Sequence, residues 1–431
     1  MKHQLKCLAV ATAMLAISPT VFANTTLIYA GELLAVAGKD SKTEQTIVIR
    51  DQRIVEVQNG YANATDFEGD VEVIDLKDQY VLPGLMDAHV HLQGELGPNK
   101  DSERLKMSSQ EVEMRSVMYG MRTLRAGFTT VRDAGSSPLE MYALRDGINN
   151  GWVDGPRILA AGGVGITGGH TDVSGMSPDF LELKTGPNIC NGPYDCRRAT
   201  RNAIKYGADL IKIASTGGVL SDVATGTGQQ MEMDEMENVV SAAHQMGRKV
   251  AAHSHQQEGV IAALNAGVDS IEHGSYTGPE AIEVFKETDA YLVPTLLAGA
   301  TVVEMANNSD FMSPAIKQKA IEVGKAMRDN FGAAYEAGVK IAYGTDSGVS
   351  RHGTNAQEAV LMHDAGMPAM EVIKSATIST ADLFDMSDEI GTIEAGKYAD
   401  IIAVDASPID NIEELLDVGF VMKGGKVYKN L

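Results

Sequence analysis

The chain is short of cysteine and of positive charge. Three cysteines among 431 residues are too few for a disulfide-built scaffold or a cysteine-rich zinc module. Lysine and arginine number 36 against 58 aspartates and glutamates, a formal net charge of -22. A surface this acidic repels nucleic acid and anionic lipid, so neither is expected as a partner. No low-complexity linker interrupts the chain, and 44% of it is hydrophobic, enough for a large packed core.

The first residues, "MKHQLKCLAVATAMLAISPTVFA", run from Lys2 and Lys6 through an apolar stretch to Val21-Phe22-Ala23. This is the pattern of a secretory signal peptide over residues 1–23, cleaved near Ala23, and is too short for a membrane anchor. The expected product is exported, periplasmic or secreted, with a formal charge of about -24 once the two lysines leave. Cys7 precedes the apolar run, which argues against lipid attachment. Cys190 and Cys196 remain, flanking a Gly-Pro turn in "CNGPYDC". In an oxidising compartment they are expected to close a local disulfide, two free thiols being the alternative.

From Thr25 to about Val81 the text alternates apolar and polar residues, as in "QTIVIRDQRIVEVQ", the period of an antiparallel sheet. After Pro83 one unit recurs, a helix ending at glycine followed by a short apolar strand with a polar end: "AGFTTVRD", "YGADLIKIA", "MGRKVAAHSH", "NAGVDSIEHG", "EAGVKIAYGTD". With "GLMDAHVH", "GPRILAAG" and "TDAYLVPTL" the set reaches eight, the number that closes a (β/α)8 TIM barrel. Beyond about Ile393 the sheet-like text returns. The expected organisation is an α/β chain with a barrel over 83–392 and a small β-sandwich built from 24–82 and 393–431.

On a strand, residues two apart point the same way, so His89 and His91 in "DAHVH" can face one ion. Lys212, His253, His273 and Asp346 stand at other strand ends, where a barrel keeps its active face. Each alone has a structural explanation; jointly they define a metal site.

"PGLMDAHVHL", then Lys212, His253, His273 and "GTDSG" in this order, closed by "GTIEAGKYADIIAVD", resembles the metal-dependent amidohydrolase superfamily. Within it the chain is most similar to prolidase-like Xaa-Pro dipeptidases and arginine carboxypeptidases, near the imidazolonepropionase-like group. The resemblance spans essentially the whole mature chain. It implies two divalent ions, zinc first, one held by His89, His91 and Asp346, the other by His253 and His273, with a carboxylated Lys212 bridging both. Such a pair activates water and polarises a carbonyl, and Asp346 is placed to carry a proton to the leaving nitrogen. It also implies that His170 in "GITGGHTD" and His255 help hold a substrate carboxylate, although His255 equally suits support of a metal ligand. The loop "STGGVLSD" offers backbone N–H groups to an anion, and Tyr276 could cap the pocket.

The leading expectation is a zinc dipeptidase releasing the C-terminal residue, Xaa-Pro first. Other enzymatic readings are hydrolysis of N-acyl amino acids or cyclic amides, or removal of basic C-terminal residues. A non-enzymatic metal-bound periplasmic binding protein is the remaining alternative, against which Lys212 and Asp346 speak together. The text leaves a homo-oligomer open.

Overall fold

The computed structural model describes residues 25–431, except 174–175, 221–225, 309 and 311 and the side chains of 101, 104 and 184. The expected signal peptide, residues 1–23, lies outside the described residues. Within them, no helix is long and apolar enough to cross a membrane.

Strands β1 (Thr25–Leu33), β2 (Lys42–Arg50), β3 (Arg53–Asn59) and β4 (Val71–Pro83) open the chain. Barrel strands follow: β5 (Leu85–Val90), β6 (Phe128–Asp133) and β7 (Arg157–Gly163). A two-stranded ribbon, β8 (Gly165–Ile166) with β9 (Ile189–Cys190), interrupts them. The barrel resumes with β10 (Leu210–Ala214), β11 (Val250–Ser254), β12 (Ser270–His273) and β13 (Tyr291–Val293), and the chain ends with β14 (Ile401–Val404), β15 (Phe420–Lys423) and β16 (Lys426–Asn430).

The seven barrel strands form one sheet in the order β13-β12-β11-β10-β7-β6-β5, parallel throughout. The eighth run, "VKIAYGTD", is not a strand of that sheet. It lies between the two edges, joined by isolated bridges from Leu292 to Ile341 and from Val90 to Ser347. Backbone bonds from Ala342 N to Leu292 O (3.0 Å) and from Ala88 N to Tyr343 O (2.7 Å) bring the edges close to closure. A regular ladder is broken where Asp346 turns into the left-handed region at φ 56°.

Helices cover the outside. Gln257–Ala266 ends at Gly267 in the left-handed conformation (φ 91°), the glycine stop anticipated from "NAGVD". In β10, Ile211 and Ile213 join the large apolar core. Leu210, Lys212 and Ala214 alternate with them, so they share the opposite face. In β11, Ala251 and His253 alternate in the same way with Val250 and Ala252, which belong to that core.

The two chain ends build a single mixed sheet, β16-β15-β14-β4-β1-β2-β3, where the sequence suggests a sandwich. The thirteen-residue β4 is the reason: it pairs β1 along most of its length and β14 through Tyr80–Pro83. The sheet folds over on itself, since Ile47, Ile49 and Ile54 share one core with Phe420 and Met422, and Arg53 bridges to Tyr398. Two-layer packing thus arises from one continuous sheet. Cys190 and Cys196 are disulfide-bonded, tying β9 to the helix Pro193–Lys205.

Candidate metal centre

The polar strand ends meet at one mouth. β5 delivers His89 in the strand and His91 just past it. The main chain there is set by Asp87, fully buried, whose carboxylate accepts from His89 N (3.0 Å), Thr345 N (3.1 Å), Thr345 Oγ1 (2.6 Å) and Asn355 Nδ2 (2.8 Å). These bonds pin β5 to the 345–347 turn. Asp346 Oδ1 consequently lies 3.2 Å from His91 Nε2 and 3.7 Å from His89 Nε2. The ligand atoms of the three residues all fall within 4.8 Å of one another.

Gly348 is required here. Its φ is 123°, and a Cβ would stand 2.7 Å from His91 Cβ and 2.9 Å from His91 O.

A second group adjoins the first. The ring of His273 lies 5.0 Å from that of His89, and His253 lies 4.5 Å from His273. His255 stacks on His273 at 5.1 Å, and His170 stacks on His253 at 4.2 Å. His273 (φ 73°) and Thr295 (φ 51°) both adopt the left-handed conformation and bond to each other, Nδ1 to Oγ1, at 2.7 Å. Backbone strain of this kind concentrates at functional sites. His255 Nδ1 is fixed at 2.6 Å by Ser275 Oγ.

Burial decides the charge state. It pushes His89 and His170 down to about 4 and His255 to about 3, with His253 and His273 also well below the usual imidazole range. An ammonium on Lys212 would add to each of these shifts. The imidazoles are therefore neutral at neutral pH and present lone pairs, as metal ligation requires. Burial lowers Lys212 too. Among the described residues its amine makes no hydrogen bond or ion pair. Asp346 is raised by burial, but His91 and His89 outweigh this and hold it below the carboxylate range.

These residues fit a metal ion on the chemistry of the donor set. Asp346 Oδ1 is a buried anionic oxygen without a hydrogen bond among the described residues, directed at the His91 and His89 imidazoles. A buried orphan of this kind is costly unless a cation compensates it.

Of the residues singled out from sequence, His89, His91, Lys212, His253, His273 and Asp346 are brought to this mouth. His170 and His255 stand beside them. Tyr276 sits in the following turn, its backbone N–H donating to His255 O at 3.0 Å, and no bond of its hydroxyl to the cluster is present among the described residues. The "STGG" glycines line the site: a Cβ on Gly218 would stand 2.3 Å from His170 Cε1. The rest of that loop, 221–225, lies outside the described residues.

Sequence reasoning missed the supports. Glu272, fully buried, receives His89 Nδ1 at 2.7 Å and Arg132 Nη2 at 2.6 Å. Burial alone would raise Glu272, but Arg132 and then the His89 hydrogen bond bring it down to about 2. Being ionised, it accepts only, so His89 carries its proton on Nδ1 and leaves Nε2 free. The available signal was an acid inside an apolar strand, one residue before a candidate ligand.

The fold and this site define a hydrolase of the amidohydrolase class. Residues 80–428 match the Amidohydrolase family, and the chain belongs to it. The chain is similar to a Xaa-Pro dipeptidase solved with methionine in its active site, 42% identical with a TM-score of 0.89, over 94% of this chain and 100% of that one. It is also similar to a prolidase solved with N-methylphosphonate-L-proline, 27% identical with a TM-score of 0.85, over 94% and 100% of the two chains. Ochratoxinase of Aspergillus niger is 29% identical over 96% of this chain and 89% of its own.

Proposed function

We propose that this protein is an exported binuclear metal hydrolase that cleaves the amide bond of dipeptides and releases the C-terminal residue, Xaa-Pro first. The observation that carries the metal reading is Asp346 Oδ1, buried without a hydrogen bond beside His89 and His91. The dipeptide reading rests on similarity to the Xaa-Pro dipeptidase and the prolidase.

In this reading His89, His91 and Asp346 would hold one ion and His253 and His273 the other, and the neutral Lys212 amine, by adding carbon dioxide and losing a proton, would become a carbamate able to ligate both. Its amine suits that role: burial favours the uncharged, nucleophilic form, and among the described residues no hydrogen bond or ion pair competes for it. The segment 340–347 serves as the eighth stave of the barrel and delivers Asp346 to the mouth. When bound, two divalent ions, zinc first, supply an activated water and an electrophile for the scissile carbonyl. The chain does the rest. Asp346 takes up a proton and passes it to the leaving nitrogen. His170 and His255, both neutral, donate N–H groups to the substrate carboxylate. The Cys190–Cys196 disulfide and the leader-like N-terminus agree with an oxidising compartment.

The test is amino-acid release, read by mass spectrometry, from a mixed dipeptide library with N-acetyl amino acids included. Release of proline or another single C-terminal class supports the reading. Cleavage of acyl amino acids alone would replace it with an amidase, and silence across the library would overturn both.

A further inference from the structure

A cavity lies at the end of the barrel away from the metal centre. Its volume is about 960 Å³, and it is lined by the starts of β7 and β10, the residues just before β11, and the Gly424 turn of the mixed sheet. The metal centre is at the opposite strand ends, so this cavity is a separate place in the fold.

Its walls are rich in cations although the chain as a whole carries -22. Most are already satisfied: Arg53 by Glu389 at 2.7 Å, Arg145 by Asp209 at 2.6 Å, Lys249 by Asp385 at 2.8 Å. Arg248 and Lys423 are the exceptions. The Arg248 guanidinium makes no hydrogen bond or ion pair among the described residues, and its Nε is buried. The Lys423 ammonium donates to Gly155 O at 2.6 Å and, among the described residues, meets no carboxylate at ion-pair distance. Burial moves Lys423 down to about 8, which leaves it mostly charged at neutral pH.

An unneutralised guanidinium and a half-buried ammonium favour an anion. Ile158, Leu159, Leu210 and Phe384 add an apolar wall, and the volume is in the range of sites for small organic ligands. We propose that this basal cavity binds a small organic anion, a carboxylate or phosphate ester whose head meets Arg248 or Lys423 and whose apolar body lies on the Phe384 side. The proposal is independent of which amide the metal centre hydrolyses.

Phenyl phosphate, benzoate and inorganic phosphate, each titrated calorimetrically into the metal-loaded enzyme, test it. Phenyl phosphate or benzoate should bind with a Kd of about 1 mM or tighter, and inorganic phosphate at least about tenfold more weakly. Whichever organic anion binds identifies the preferred head group. The double variant R248Q/K423M should weaken that binding about tenfold or more while leaving kcat and KM for hydrolysis unchanged. R248Q alone, an exchange of a side chain with no hydrogen bond or ion pair among the described residues, serves if the double variant does not fold, with an expected loss of about threefold. Absence of binding by either organic anion, equal binding of inorganic phosphate, or affinity unaffected by the substitutions would overturn the proposal; the last would locate the anion at the metal centre instead.

Discussion

Glu272 Oε2 lies 2.7 Å from His89 Nδ1, while Glu272 Oε1 lies 2.6 Å from Arg132 Nη2. Arg132 in turn donates through Nε to Ala88 O at 2.6 Å and through Nη1 to Ser270 Oγ at 3.2 Å. Three barrel strands are thus joined through one buried ion pair. The pair orients His89, and its completeness makes the burial tolerable, since each charge has several bonded partners.

Glu272→Gln keeps the shape but turns an acceptor into a donor facing Arg132. The buried guanidinium then loses its counter-charge, for which about 3 kcal/mol of destabilisation is expected. His89 loses the charged acceptor that fixes its tautomer, so zinc affinity should fall about 10–100-fold. Calorimetric zinc titration and denaturant unfolding measure both. Unchanged zinc affinity would mean that Glu272 only holds the barrel together.

Lys212→Met separates activity from stability in the opposite sense. The metal-free protein loses a buried amine with no hydrogen bond among the described residues, so its stability should hold or rise by about 1 kcal/mol. Metal content, however, should drop from two ions toward one, and turnover by at least about a thousandfold. Metal analysis with steady-state kinetics decides. A fully active variant would remove the bridging role and revive single-metal chemistry.

Acid should weaken the metal-free fold, and the sign follows from the buried groups. His89 and His170 are lowered to about 4 and His255 to about 3, so the unfolded chain takes up protons that the folded one refuses. Stability rises with pH across that window. It is complete above the ordinary imidazole value and is lost as pH falls toward 4. Glu272, lowered to about 2, adds a further loss below the usual carboxylate range. Asp87 and Glu358, pushed up by burial to about 6 and about 8, act in the opposite sense between about pH 5 and about pH 7.5. Denaturant unfolding should therefore show the fold weaker at about pH 5 by the surplus of the histidines, on the order of 2 kcal/mol each, over these two acids. Equal midpoints would contradict the buried neutral state of these rings.

The candidate ligands were legible because barrel chemistry sits at strand ends, and "DAHVH", "HSH", "EHG" and "GTDSG" mark such ends without reference to packing. The supports were not. Glu272, Arg132 and Ser270 occupy the barrel interior, and nothing in the linear text says that β6 and β12, far apart in sequence, put these side chains together. The run "VKIAYGTD" was legible as apolar text but not as a pairing, because it makes only isolated bridges and Asp346 turns into the left-handed region. That both chain ends share one small β unit was legible, but the continuity of its sheet through β4 was not: that strand's length lets it bond to both halves, a property of register that alternation alone does not encode.

Gly218 offers a way to test His170 without touching a metal ligand. A Cβ there would stand 2.3 Å from His170 Cε1 and 2.6 Å from its Nδ1, so Gly218→Ala must push the ring off its stack on His253. If His170 holds the substrate carboxylate, KM for dipeptides should rise about tenfold or more with a smaller change in kcat, the mark of lost binding common to ground and transition states. His170→Gln should reproduce that split. If His170 instead supports His253, both variants should lower kcat and zinc content together and leave KM nearly fixed. The two outcomes assign the histidine to substrate or to metal.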